Sequence, residues 1–158
     1  MSNILIYAEV TRENYLHTVV FELANKAQEL SKKLANSEVS ALLICKCGLA
    51  ENFKEAFTNS GFDNVYITEN DRFTHYSTEL YSKAAIDIIK EINPEIILIG
   101  ATTQGRDLAP RIAATLHTGL TADCIKLDIN EKDQLAATRP TFGGKLMATR
   151  SEEHTSEL

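Results

Sequence analysis

Four consecutive apolar residues, Ile96-Ile97-Leu98-Ile99, followed by Gly100, a polar loop and a second apolar pattern, constrain this chain more than any other feature. The run is too short for a helix and rich in β-branched side chains, which suits a strand buried on both faces of a parallel sheet. Gly100 ends that strand, and Ala101 to Asp107 turns the chain into a helix expected from about Asp107 to His117, with Leu108, Ile112 and Leu116 on its packed face. Proline is tolerated in the first helical turn, where its missing N–H loses no bond, so Pro110 sets the helix start near Asp107. Gly119 ends the helix. In open α/β sheets, ligands meet the loops at the carboxyl ends of the strands, which makes this loop the first candidate for function.

The rest of the chain extends the same grammar. Asn3 to Val10 reads as a first strand, and Leu16, Val19, Val20, Leu23, Ala24, Ala27, Leu30 and Leu34 form one helical stripe, with Thr11 or Asn14 as candidate caps. Val39 to Cys45 and Asn64 to Thr68 are further strands, with a short helix over Ala50 to Asn59 between them and Gly61 as its terminator. A third helix carries Leu80, Ala84, Ile88 and Ile92 on one face and stops at Asn93-Pro94. After Gly119 the helices cease. Thr121 to Ile129, Gln134 to Thr141 and Lys145 to Thr149 read as strands, so the expected fold class is α/β, a doubly wound, mostly parallel sheet with an antiparallel carboxyl-terminal extension. A chain of 158 residues with no repeat and no linker makes one domain.

Composition removes several classes. The net charge of −6, with no Lys/Arg cluster, argues against nucleic acid. No basic leader or apolar span opens the chain, and Cys45, Cys47 and Cys124 form no disulfide framework, so a cytoplasmic setting without membrane insertion is expected. The cysteines and the scattered His17, His75, His117 and His154 have no metal-ligand spacing. No nucleophile motif or placeable carboxylate pair is in view, and the chain is not read as an enzyme.

Two stretches retain functional interest. The turn after the first strand, Ala8-Glu9-Val10-Thr11-Arg12, has no glycine and carries an acid, which is unsuited to a dinucleotide pyrophosphate. The loop holding Thr102, Thr103, Gln104, Gly105, Arg106 and Asp107 instead offers hydroxyls, an amide, a glycine, a guanidinium and a helix start for an anion or a partner. Its bland reading is a capping Asp107, a solvated Arg106 and a glycine that merely permits the turn. Arg139, Phe142, Gly143 and Gly144 make the second stretch, either a plain edge hairpin guarded by Pro140 or a flat contact surface.

Gly100 to Ala114 (GATTQGRDLAPRIAA), Thr118 to Cys124 (TGLTADC) and Thr138 to Thr149 (TRPTFGGKLMAT) together resemble the amino-terminal domain of the electron transfer flavoprotein alpha subunit, bacterial in style. The resemblance covers Asn3 to Thr149. It implies an adenine nucleotide alpha hydrolase-like sheet over residues 1–149, acting as scaffold and subunit interface with an electron transfer flavoprotein beta subunit. Such a heterodimer contains FAD and passes electrons from dehydrogenases to an acceptor. In the family, FAD belongs mainly to a second, carboxyl-terminal domain, so FAD is expected in the full-length parent and not in this chain alone. The alternative from another class is a stand-alone α/β module binding AMP or ATP. Residues 150–158, RSEEHTSEL, depart from the family pattern and resemble a translated sequencing-adapter read-through; they are expected to be a disordered, non-native tail.

Overall fold

The fold is seen in a computed structural model, which describes residues 2–122, 124, 126–140, 147–152 and 155–157. In chain order it contains β1 (Ser2–Tyr7), α1 (Val19–Ser31), β2 (Ser37–Cys45), α2 (Lys54–Asn59), β3 (Asn64–Glu69), α3 (Thr78–Ile92), β4 (Ile96–Leu98) and α4 (Thr103–Leu116). Five strands follow: β5 (Gly119–Thr121), β6 (Lys126–Ile129), β7 (Leu135–Pro140), β8 (Met147–Glu152) and β9 (Thr155–Glu157). A parallel sheet runs in the order β3-β2-β1-β4-β9-β5, and β6-β7-β8 form a separate antiparallel sheet. The strand order reverses between β1 and β4.

Alternation along the strands builds the two layers. Leu5, Tyr7, Leu42, Ile44 and Ile97 face α3 and α4, meeting Ala85, Ile89, Leu108 and Ile112. Ile4, Ile6, Ile96 and Leu98 face the other way, against Ala24, Ala27 and Leu30 of α1. Each such buried Leu or Ile contributes roughly 1.5–3 kcal/mol relative to exposure. The second sheet closes the far end of this layer: Leu135 joins the α1 cluster, and Lys33, just past the end of α1, pairs with Asp128 of β6 at 2.5 Å.

Several expectations need correction. Helix α4 begins at Thr103, four residues before Asp107, and Pro110 lies inside it. Pro110 cannot donate to the Arg106 carbonyl, but the burial of Leu108, Ala109 and Ile112 outweighs one forgone helix bond. The helix stops at His117, whose φ of 53° is left-handed, and Gly119 instead opens β5. The single strand expected over Thr121 to Ile129 is two, β5 and β6, in different sheets. Helix α3 buries Tyr81, Ala85, Ile86 and Ile89, one step round from the expected stripe, because Tyr81 packs edge-on against Phe73 and Tyr76 with centroids 5.3 and 5.0 Å away.

Beyond Thr149 the described residues extend both sheets. Residues 150–152 continue β8, and β9 lies between β4 and β5, with Ser156 level with Ile97 and Leu120. The backbone N–H and C=O groups along β4 and β5 need partners, and β9 supplies them to both.

Candidate functional site

Local chemistry fixes the loop between β4 and α4. Thr102 is extended, with ψ 171°, and its hydroxyl accepts the Gly105 N–H at 3.0 Å, so threonine is the true cap of α4. A Cβ on Gly105 would stand 1.9 Å from the Gly100 carbonyl oxygen; only glycine lets this helix sit so close to the end of β4. Thr103 and Arg106 are exposed, and the Arg106 side chain turns back to donate to the Ala101 carbonyl at 3.4 Å. Asp107, one turn further on, accepts from Tyr76 at 2.7 Å and from Thr78, tying α4 to the start of α3. Those two hydrogen bonds, Thr78 first, hold its carboxyl below the usual aspartate range.

The turn after β1 meets this loop. The Thr102 hydroxyl donates to Oε2 of Glu9 at 2.5 Å, and Gln104 donates to the Tyr7 hydroxyl at 2.5 Å. Glu9 is only 7% exposed. Its backbone carbonyl accepts from His17 N–H at 2.9 Å, and the His17 ring in turn accepts the Val19 N–H at 3.0 Å, so histidine caps α1. The expected caps do other work: Thr11 accepts from Tyr15 N–H at 3.2 Å, and Asn14 turns the loop with φ 64°. Burial, with the charges of Tyr81 and Glu9 adding to it, raises the Tyr7 phenol well above its ordinary value.

Around these groups opens a cavity of about 1020 Å³ over the carboxyl ends of β1, β2 and β4. Glu9, Arg12, Lys46, Tyr76, Gln104 and Asp107 are among its walls. Thr102, Thr103 and Asp107 of the expected site line it as well. Arg139 lies elsewhere, on β7 of the second sheet opposite Ala148, and Phe142, Gly143 and Gly144 fall outside the described residues. Sequence reading missed Tyr7, His17 and Tyr76 as parts of this cluster, while Gln104 belongs to the loop that it singled out. For Tyr76, a polar residue just before a helix start was the available signal; for His17 there was none. Among the described residues no group of three or more His, Cys, Asp or Glu converges on a metal position.

The electron transfer flavoprotein domain family matches residues 4–156, nearly the whole chain and the whole of this site. The chain belongs to that family. It is 47% identical over 147 residues to the electron transfer flavoprotein subunit alpha of Thermoanaerobacterium thermosaccharolyticum, covering 93% of this chain and 43% of that protein. The same subunit of Clostridium acetobutylicum is 45% identical over 91% of this chain and 42% of its own length. A subunit of the lactate dehydrogenase (NAD(+),ferredoxin) of Acetobacterium woodii, LctC, is 40% identical over 90% of this chain and 34% of its own. The chain thus spans well under half the length of these electron transfer flavoprotein relatives.

Flavin binding characterises the electron transfer flavoprotein family. A dinucleotide pyrophosphate at a strand–helix junction needs a glycine turn and free helix N–H groups. Here the turn after β1 holds the Glu9 carboxylate, and that carboxylate already faces the start of α4 through Thr102. The residues of this electron transfer flavoprotein domain do not fit an FAD pyrophosphate at this position.

Proposed function

We propose that this chain serves as the amino-terminal domain of an electron transfer flavoprotein alpha subunit, a cytoplasmic scaffold without catalytic residues of its own. It pairs with an electron transfer flavoprotein beta subunit. The heterodimer holds FAD, chiefly through a further alpha domain, and carries electrons from a dehydrogenase to an acceptor. The observation that carries this reading is the family match over residues 4–156 combined with a buried Glu9 carboxylate that stands on the capping Thr102 at the start of α4. The same observation counts against a stand-alone AMP- or ATP-binding module.

Thr102, Thr103, Gly105, Arg106 and Asp107, with Arg139, Phe142, Gly143 and Gly144, are the interface residues in this proposal. Arginine and aromatic side chains are enriched where proteins meet, and Arg106 is exposed at the start of α4. The test joins residues 1–149 to the carboxyl-terminal domain of the Thermoanaerobacterium relative and titrates the product with that organism's beta subunit. Arg106→Ala and Arg139→Ala together weaken the complex by about tenfold or more; unchanged affinity and flavin content remove these residues from the interface.

The family match runs on through residue 156, yet we propose that residues 150–158 are foreign to the domain. Strand β9 sets Thr155, Ser156 and Glu157 level with Ile96, Ile97 and Leu98, a polar segment where the interior of a parallel sheet takes apolar ones. A contiguous long genomic read with these codons in frame would overturn that assignment.

A further inference from the structure

We infer that Glu9 is a specificity determinant that closes the cavity to phosphate: its carboxylate supplies, from within the chain, the negative charge that the start of α4 would otherwise take from a ligand. The inference does not depend on the proposed subunit pairing. It rests on where the cavity sits, what Glu9 touches and how the lining charges balance.

The cavity lies at the point where strand order reverses, between the ends of β1 and β4, the place where open α/β sheets bind phosphorylated ligands. At about 1020 Å³ it has room for a mononucleotide. Glu9 nevertheless stands at its helix end, more than nine-tenths buried. A two-step relay links it to the helix: Gly105 N–H donates to Thr102 Oγ1 at 3.0 Å, and the Thr102 hydroxyl donates to Glu9 Oε2 at 2.5 Å. The His17 N–H holds the Glu9 backbone at 2.9 Å, and burial together with the Thr102 hydroxyl keeps the carboxylate at this place. A phosphate brought to the same N–H groups would meet a like charge in a partly desolvated site.

Charge balance makes the claim testable by gain of function. Among the lining residues, Glu9 and Asp107 stand against Arg12 and Lys46, with His17 and His75 beside them. Asp107 is engaged by Tyr76 and Thr78. Removing the Glu9 charge leaves the cations in excess and the Thr102 hydroxyl and α4 start turned toward an open cavity.

The experiment is titration calorimetry of the full 158-residue chain with AMP and, separately, with inorganic phosphate, while amide shifts of Gln104 and Gly105 report location. The wild type gives no binding at either position. Glu9→Ala gains affinity for both anions by about tenfold or more over the wild-type limit, with shifts at Gln104 and Gly105. Glu9→Gln, which removes the charge and keeps the bulk, falls between. Wild-type binding of AMP or phosphate that shifts these amides overturns the inference. So does a folded Glu9→Ala that binds no better than wild type; should Glu9→Ala fail to fold, Glu9→Gln binding no better than wild type decides the same way. Loss of beta-subunit binding would bear on the proposed function and leave this result untouched.

Discussion

The Glu9 carboxylate and the Thr102 hydroxyl, 93 residues apart in sequence, stand 2.5 Å from each other and join the loops that follow β1 and β4. Thr102 also caps α4, so one hydroxyl serves both the helix and a buried acid. Thr102→Val removes both bonds at nearly constant volume and leaves Glu9 buried without that donor. The expected loss is about 1–3 kcal/mol, read from urea unfolding, with Thr102→Ser restoring most of it.

Gly105 and Gly48 separate two reasons for glycine. At Gly105 an added Cβ meets backbone, the Gly100 carbonyl oxygen, which has no rotamer to escape into. Gly105→Ala is expected to cost about 3 kcal/mol or prevent folding. Gly48 has φ +81° and open space around it, so Gly48→Ala carries only the backbone penalty, about 1 kcal/mol. Equal losses in the two variants would contradict the close contact between α4 and β4.

These contacts show where sequence reading reached and where it stopped. The alternation of strands and helices through α4 is legible because the buried strands are apolar runs and α1 carries a strong 3.6-residue stripe. The acid in the turn after β1 is legible as a bar to pyrophosphate; its partner is not, because nothing in the local pattern links Glu9 to Thr102. The start of α4 is misread because Pro110 looks like a first-turn proline, and only the Thr102 cap on the Gly105 N–H reveals that the helix begins at Thr103 and carries the proline inside. The α3 stripe is misread by one position because Leu80 looks the better anchor than Tyr81 until Phe73 and Tyr76 fold back on it.

Asp107 gives the domain an acid-sensitive clamp. Hydrogen bonds from Thr78 and Tyr76 hold its folded pKa below the unfolded value, so its stabilisation is fully present above the unfolded pKa, about 3.9. It fades as pH falls through the lower, folded value. Wild type should therefore exceed Asp107→Asn in urea midpoint at neutral pH, and the gap should close in strong acid. A gap that persists unchanged at low pH would contradict the clamp.

Cys45 is a packing residue. It lies buried at the end of β2, and burial, with Glu69 nearby, pushes its thiol up to about 11. Iodoacetamide at about pH 8 should leave Cys45 unmodified in the folded chain and alkylate it after denaturation, as peptide mass spectrometry can read. Native-state alkylation of Cys45 would contradict the packing described.

The proposed role is tested most directly by spectrum and elution together. Residues 1–149, joined to the carboxyl-terminal domain of the Thermoanaerobacterium relative and co-expressed with its beta subunit, should elute as a two-chain complex carrying visible flavin absorbance, while the 158-residue chain alone should elute colourless. A fused chain that elutes apart from the beta subunit, or a complex that elutes without flavin, would contradict it.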